Sequence, residues 1–185
     1  TCLLPRFLKL SYPEGRRYPL VVSIPHAGFE IPADLKKFFV RQDPLLLTRD
    51  SDLHVERLYD FVPSAGGTVL WTTICRYVID PNRPPDEVDS SFFEGAPKVE
   101  NPQPLGLVAH KTMAGEPLLS RPLTRQEFDF RLQTDYRPFH ETLARLIAET
   151  KKEFGYCIHI EGHSMPSVAT EGHPDTGRVR DDVDL

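Results

Sequence analysis

Apolar and polar positions fall along this chain in a few clearly bounded blocks. Residues 18–24 place Val21, Val22 and Ile24 in a short β-branched run, the pattern of a strand entering a core. "ADLKKFFV" follows as a short helix candidate. "DSDLHVERLYDFV" sets Val55, Leu58, Tyr59 and Val62 at i, i+3, i+4 and i+7, one apolar helical face. Asp50, Ser51 and Asp52 are its N-cap candidates. "SAGG" ends that helix, and "TVLWTTICRYVID" reads as one or two strands.

From Pro81 to Pro122 the periodicity lapses. Eight of the 18 prolines fall there, so residues 81–122 read as a long ordered excursion or flap. The helical pattern returns at Thr124, where "TRQE" matches a capping box closed by Glu127. Phe128, Leu132, Tyr136, Phe139, Leu143 and Leu146 then keep a three-to-four spacing to about Phe154. Pro138 lies inside this run and is expected to kink or split it. "YCIHIEG" is the last clear strand, and "EGHPDTGRVRDDVDL" is polar with no core pattern. Strand, helix, strand pair, excursion, long helix and strand predict a single α/β domain over residues 1–185 with a mostly parallel sheet.

Composition narrows the function classes. With 185 residues, 39% hydrophobic and 26% charged, the chain has the make-up of a soluble globular domain. A formal net charge of −5 offers no general attraction to nucleic acid or anionic lipid. No apolar run approaches the roughly 18 residues of a membrane span. "TCLLPRFLKL" has too short an apolar run for a secretory leader. Cys2, Cys75 and Cys157 are an odd count with no CxxC spacing, and Cys75 and Cys157 read as buried free thiols, which suits a reducing, cytoplasmic setting.

The chemistry gathers at strand ends. His26 and His163 each follow an apolar run closely, and parallel neighbours would bring both imidazoles to one sheet edge. A metal there needs a third ligand, which either Asp52 or His54 can provide. Glu161, two residues before His163 on the same strand face, is placed to orient its ring. In "RYVIDPNRP", Asn82 and Arg83 suit a carboxylate, with Asp80 placed to hold Arg83 and with Arg76 nearby. The same residues also make good turn chemistry. His140 of "YRPFHETL" reads as a satisfied core histidine. No GxSxG elbow, GxGxxG loop or Walker sequence occurs.

"SIPHAG", "DSDLHVERLYDF", "CRYVIDPNRP", "YRPFHETL" and "HSMPS", in this order from about residue 18 to 168, resemble the N-formylglutamate amidohydrolase family. The resemblance implies a three-layer α/β/α, phosphorylase/hydrolase-like domain and zinc-dependent cleavage of N-formyl-L-glutamate to formate and L-glutamate, in histidine degradation. It implies His26, Asp52 and His163 as metal ligands, with His54 the nearest rival to Asp52. One zinc per chain is implied, and the same donors accept other divalent metals. Asn82 and Arg83 resemble the pair that grips a substrate carboxylate in carboxypeptidase-like enzymes, and Arg76, with Arg137 behind it, is the expected second cation. The implied partner is thus a small anionic N-acyl amino acid.

This chain departs from the family pattern in two places. "EGHS" puts Glu161 where the family has aspartate. The family's late "QxE"-type segment, which the resemblance implies as the source of the general base, has no counterpart here. The C-terminal part of the family domain is therefore expected to be absent. That leaves, as an alternative, a weakly active or non-catalytic relative that binds metal and ligand.

Overall fold

The computed structural model describes residues 5–15, 17–41, 43–86, 106–170 and 175–183. Its centre is a four-stranded sheet of β1 (Leu8–Ser11), β2 (Leu20–Ile24), β3 (Thr68–Thr72) and β4 (Ile158–Glu161), ordered β1-β3-β2-β4. β2 runs parallel to both neighbours, pairing Val22 with Val69 and with Ile160, whereas β1 lies antiparallel against β3. The mostly parallel α/β sheet expected from the pattern is present, with an antiparallel edge at β1 that the sequence reading did not anticipate.

Among the described residues the sheet is accompanied by three short helices, α1 (Pro44–Thr48), α2 (Val55–Leu58) and α3 (Arg125–Arg131), a π-helical turn over Leu132–Tyr136, and one long helix, α4 (Arg137–Phe154). Val21 of β2 and Leu70 of β3 face α4, where Phe139 and Leu146 close one core. Val22 and Ile24 point the other way, onto Val55 and Val62. A β-strand's alternation thus distributes one apolar run between two layers. A third and larger core lies beyond these layers, where Ile74 and Tyr77–Ile79 meet Leu107–Ala109, Leu118 and Phe128. The far end of the excursion is therefore built into the core, and residues 87–105 of it lie outside the described residues.

Several local expectations change. Helix α2 is only four residues long and leaves Leu58 exposed; its N-cap position is held by His54 in a left-handed conformation (φ 65°) and not by Asp50, Ser51 or Asp52. The apolar face that does form is Val55, Tyr59 and Val62, carried on through turns. After β3 the chain makes one isolated bridge, Ile74 with Glu30, and then turns, so "TVLWTTICRYVID" holds one strand and a buried loop. α1 was not foreseen; Asp43 caps it by accepting from the Leu45 N–H, and Pro44 opens it. "ADLKKFFV" contributes a single 3₁₀ turn over Lys36–Phe38.

The Thr124–Glu127 capping box forms as read, with both reciprocal hydrogen bonds. Pro138 splits the long helical run by way of the π-helical turn, and Pro138 lies in the first turn of α4. β4 sits at the outer edge of the sheet and is exposed at every position. Cys75 is buried and Cys157 is half-buried, both as free thiols, and burial pushes the Cys75 thiol up to about 12. Among the described residues no helix is long and apolar enough to cross a membrane.

Candidate metal centre

β2 ends at Ile24, and Pro25 turns the chain so that His26 stands just past the strand, 3% exposed. Gly28 makes this turn possible. A Cβ on Gly28 would lie 2.2 Å from the Thr73 carbonyl carbon and 2.5 Å from the Ile74 oxygen, so the 26–28 loop rests directly on backbone. Across the loop, the Asp52 N–H donates to the His26 carbonyl at 2.9 Å, tying the two segments together. β4 delivers His163 from the other side, and the Gly162 N–H donates to the Ser23 carbonyl at 2.8 Å to continue the β2 pairing.

His26, Asp52 and His163 therefore converge, each with a donor atom within 4.8 Å of the others. Asp52 Oδ2 lies 2.8 Å from His163 Nδ1 and 3.5 Å from His26 Nδ1. The opposite nitrogens are already taken. His26 Nε2 is 2.6 Å from Asp80 Oδ1, and His163 Nε2 is 2.8 Å from Glu161 Oε1. Both imidazoles thus turn Nδ1 inward with Nε2 held by a carboxylate, the arrangement that orients metal-ligating histidines. Ser164 Oγ donates to Asp52 Oδ1 at 3.3 Å and leaves Oδ2 facing the rings. Two imidazole nitrogens and one carboxylate oxygen form a donor set that suits a divalent metal with open positions.

The electrostatics follow from these contacts. Burial by itself would raise the Asp52 carboxyl, but the hydrogen bonds with His163 and His26 outweigh it and hold Asp52 at about 2. Asp80 is likewise opposed by burial, yet His26 and Arg76 keep it well below the usual carboxylate range. Its hydrogen bond to Asp52, then that to Glu161, raises His163 to about 9. His163 in turn lowers Glu161. Two carboxylates around one imidazole favour its cation, which must give up a proton before Nδ1 can ligate.

A family model described as N-formylglutamate amidohydrolase matches residues 18–184. The chain belongs to the N-formylglutamate amidohydrolase family. It is 34% identical over 160 residues to an N-formylglutamate deformylase of Pseudomonas putida, covering 85% of this chain and 55% of that protein. It is 32% identical over 161 residues to an N-formylglutamate deformylase of Pseudomonas aeruginosa, covering 85% and 56%. The chain thus spans about half the length of these curated relatives. A crystal structure of N-formylglutamate amidohydrolase from Ralstonia eutropha JMP134 superposes with a TM-score of 0.79 at 36% identity, over 89% of this chain and 59% of that one. A structure of an Agrobacterium tumefaciens gene product, 22% identical with a TM-score of 0.64, shares the fold over 94% of this chain and 60% of its own.

Within this amidohydrolase-family site the other expected residues have distinct positions. His54 is exposed, lies outside the three-residue cluster and faces Glu56 at 4.0 Å. Arg76, expected as a substrate cation, has its guanidinium occupied. Its Nε and Nη2 donate to Asp80 Oδ2 at 3.2 and 2.6 Å, and its Nη1 donates to the Asp50 carbonyl at 2.8 Å. Arg83 differs: Nη1 donates to the Asn82 carbonyl at 3.0 Å, while Nε is buried without a hydrogen-bond partner among the described residues. The Asn82 amide lies 3.3 Å from His163 Nε2, so the Asn82–Arg83 turn borders the cluster directly.

Asp80 is the residue whose role the sequence reading misplaced. It was expected to hold Arg83, and instead its two oxygens hold His26 and Arg76 while Oδ1 also accepts the Asn82 N–H at 2.8 Å. Its only sequence signal is position, two residues before Asn82 at the end of an apolar run. Asp50 was also missed as an anchor. Its Oδ2 accepts from the Tyr77 hydroxyl at 2.6 Å and from the Met113 N–H at 3.0 Å, fastening the returning excursion beside the site.

Proposed function

We propose that this chain carries the metal-binding and substrate-gripping part of a zinc amidohydrolase that cleaves N-formyl-L-glutamate to formate and L-glutamate. The observation that carries the reading is the convergence of His26, Asp52 and His163 beside the Asn82–Arg83 turn. Family membership and the deformylase relatives support the substrate class. His26 Nδ1, Asp52 Oδ2 and His163 Nδ1 would hold the metal. When bound, the metal supplies Lewis-acid polarisation of the formyl carbonyl and a water nucleophile at neutral pH.

The chain's own residues do the rest of what can be assigned. Asp80 and Glu161 fix the two ligand imidazoles, and Ser164 fixes the Asp52 carboxylate. Arg83, whose buried Nε has no partner among the described residues, would offer a fork for one substrate carboxylate, and the Asn82 amide adds a donor next to the metal ligands. Arg76 acts through Asp80 and not on the substrate.

A second reading has its own support: a relative that binds metal and acidic ligand without turnover. Among the described residues, the three carboxylates at the cluster are all engaged, Asp52 on two histidines, Asp80 on His26 and Arg76, and Glu161 on His163. Elemental analysis and formate release from N-formyl-L-glutamate, measured on one preparation, separate the readings. About one zinc per chain with formate release establishes the amidohydrolase. Zinc without formate establishes the binding relative. Absence of stoichiometric metal overturns both.

A further inference from the structure

Both ends of the Asn82–Arg83 turn are held by one helix face. The Tyr136 hydroxyl donates to the Arg83 carbonyl at 2.8 Å, and His140 Nε2 donates to the Pro81 carbonyl at 2.9 Å. The two rings lean on each other with centroids 4.4 Å apart, and Phe139, buried in the core with Val21 and Leu70, meets His140 edge-on at 5.5 Å. The Asn82 N–H is held from a third direction by Asp80.

The π-helical turn ends at Tyr136, the first of this pair. Pro138 has no N–H to donate, and its ring crowds the turn before it. The helix widens over Leu132–Tyr136, closing with the Arg137 N–H on the Leu132 carbonyl five residues back, and resumes as α4. Tyr136 and His140 then stand one turn apart on the same face, toward the 81–83 backbone. π-turns within α-helices recur at functional sites. His140, which the sequence alone presents as a satisfied core histidine, is satisfied by the backbone of the residue preceding Asn82.

We infer that Tyr136 and His140 are positioning residues for substrate-carboxylate binding: they hold the 81–83 backbone so that Arg83 and Asn82 meet the ligand already oriented. The inference rests on the reading of Asn82 and Arg83 as the carboxylate grip. A guanidinium fork binds bidentately only from a fixed direction, and any freedom in the turn must be frozen on binding. Tyr136 and His140 touch no metal ligand themselves: residues 26, 52 and 163 are held by Asp80, Ser164 and Glu161, and the turn meets them only through the Asn82 N–H on Asp80 and the Asn82 amide beside His163.

The test is calorimetric binding of L-glutamate to the zinc-loaded chain, with zinc affinity measured separately by chelator competition. The variants are Tyr136→Phe, His140→Leu, the donor-keeping His140→Gln, Arg83→Ala, and Arg83→Ala combined with Tyr136→Phe. Tyr136→Phe and His140→Leu are expected to weaken L-glutamate binding about three- to tenfold, the worth of one hydrogen bond, with zinc affinity unchanged. His140→Gln recovers most of that loss, and Tyr136→Phe costs clearly less once Arg83 is gone, since only Asn82 is then left to orient. Parallel loss of zinc and glutamate binding, or a Tyr136→Phe effect undiminished without Arg83, overturns the inference. If Arg83→Ala weakens glutamate binding and neither Tyr136→Phe nor His140→Leu does, the clamp alone is wrong. If Arg83→Ala has no effect, the carboxylate grip falls, and the clamp with it.

Discussion

His26 Nε2 lies 2.6 Å from Asp80 Oδ1, and the other oxygen of that carboxylate carries Arg76 at 2.6 Å. One buried aspartate thus fixes a metal-ligand ring and neutralises a nearly buried guanidinium. Asp80→Asn removes the charge both partners rely on. Zinc affinity is expected to fall about 10- to 100-fold by chelator competition. Urea unfolding should show a loss of about 3 kcal/mol, because Arg76 is left enclosed without its counter-charge.

The third ligand is tested by a pair of substitutions two residues apart. Asp52→Ala removes the oxygen that lies between the two histidines, whereas His54→Ala removes an exposed ring facing Glu56. Elemental analysis after dialysis should find stoichiometric zinc in His54→Ala and none in Asp52→Ala. Retention of zinc by Asp52→Ala would reassign the ligand.

Gly28→Ala tests the close approach beneath His26. The added methyl would meet the Thr73 and Ile74 backbone, which cannot move as a side-chain end can. The loop must lift, at a cost of about 1–3 kcal/mol. Thermal melting should show a clear drop in Tm, with zinc affinity reduced alongside because His26 moves with the loop.

Acid stability reports on the α3 cap. Glu127 accepts a two-pronged pair from Arg121 and the Thr124 N–H, and the Arg121 contact chiefly holds its carboxyl down at about 2 against an ordinary 4.5. A carboxyl lowered in the folded state stabilises above its unfolded value and loses that contribution as pH falls toward the folded one. The parent should therefore lose stability between pH 4.5 and about 2 more steeply than Glu127→Gln. Identical acid slopes in denaturant titrations would remove Glu127 from the account.

The parts of this site legible in the sequence were those with strong local grammar. The "TRQE" capping box formed because its two hydrogen bonds span three residues. The apolar run before His26 formed β2 because four successive residues are fully enclosed. Pro138 coincides with the π-helical widening of the run, and was legible because the missing N–H is a property of that residue alone. α2 is shorter than its periodicity implies: Val55, Tyr59 and Val62 do share a face, yet most of that face is carried by turns, and Leu58 is exposed. α1 leaves no periodic signature, since five residues are too few to show one.

What the sequence determined by itself was the inventory: the strand ends that carry His26 and His163, the Asn82–Arg83 turn, the long amphipathic helix and the family's ordered motifs. Tertiary structure decided which partner each group received. On paper Asp52 stands first with His54 its nearest rival; in the fold the Asp52 N–H bonds the His26 carbonyl and its carboxylate meets His163 and Ser164, while His54 is exposed. Asp80 binds His26 in place of Arg83, and Arg76 is occupied by Asp80, because β2 and the loop after β3 meet at the sheet edge. The hydrogen-bonded pairs His26–Asp80 and Asp52–His163, 54 and 111 residues apart, are set by strand order and register, which no local pattern of side chains encodes.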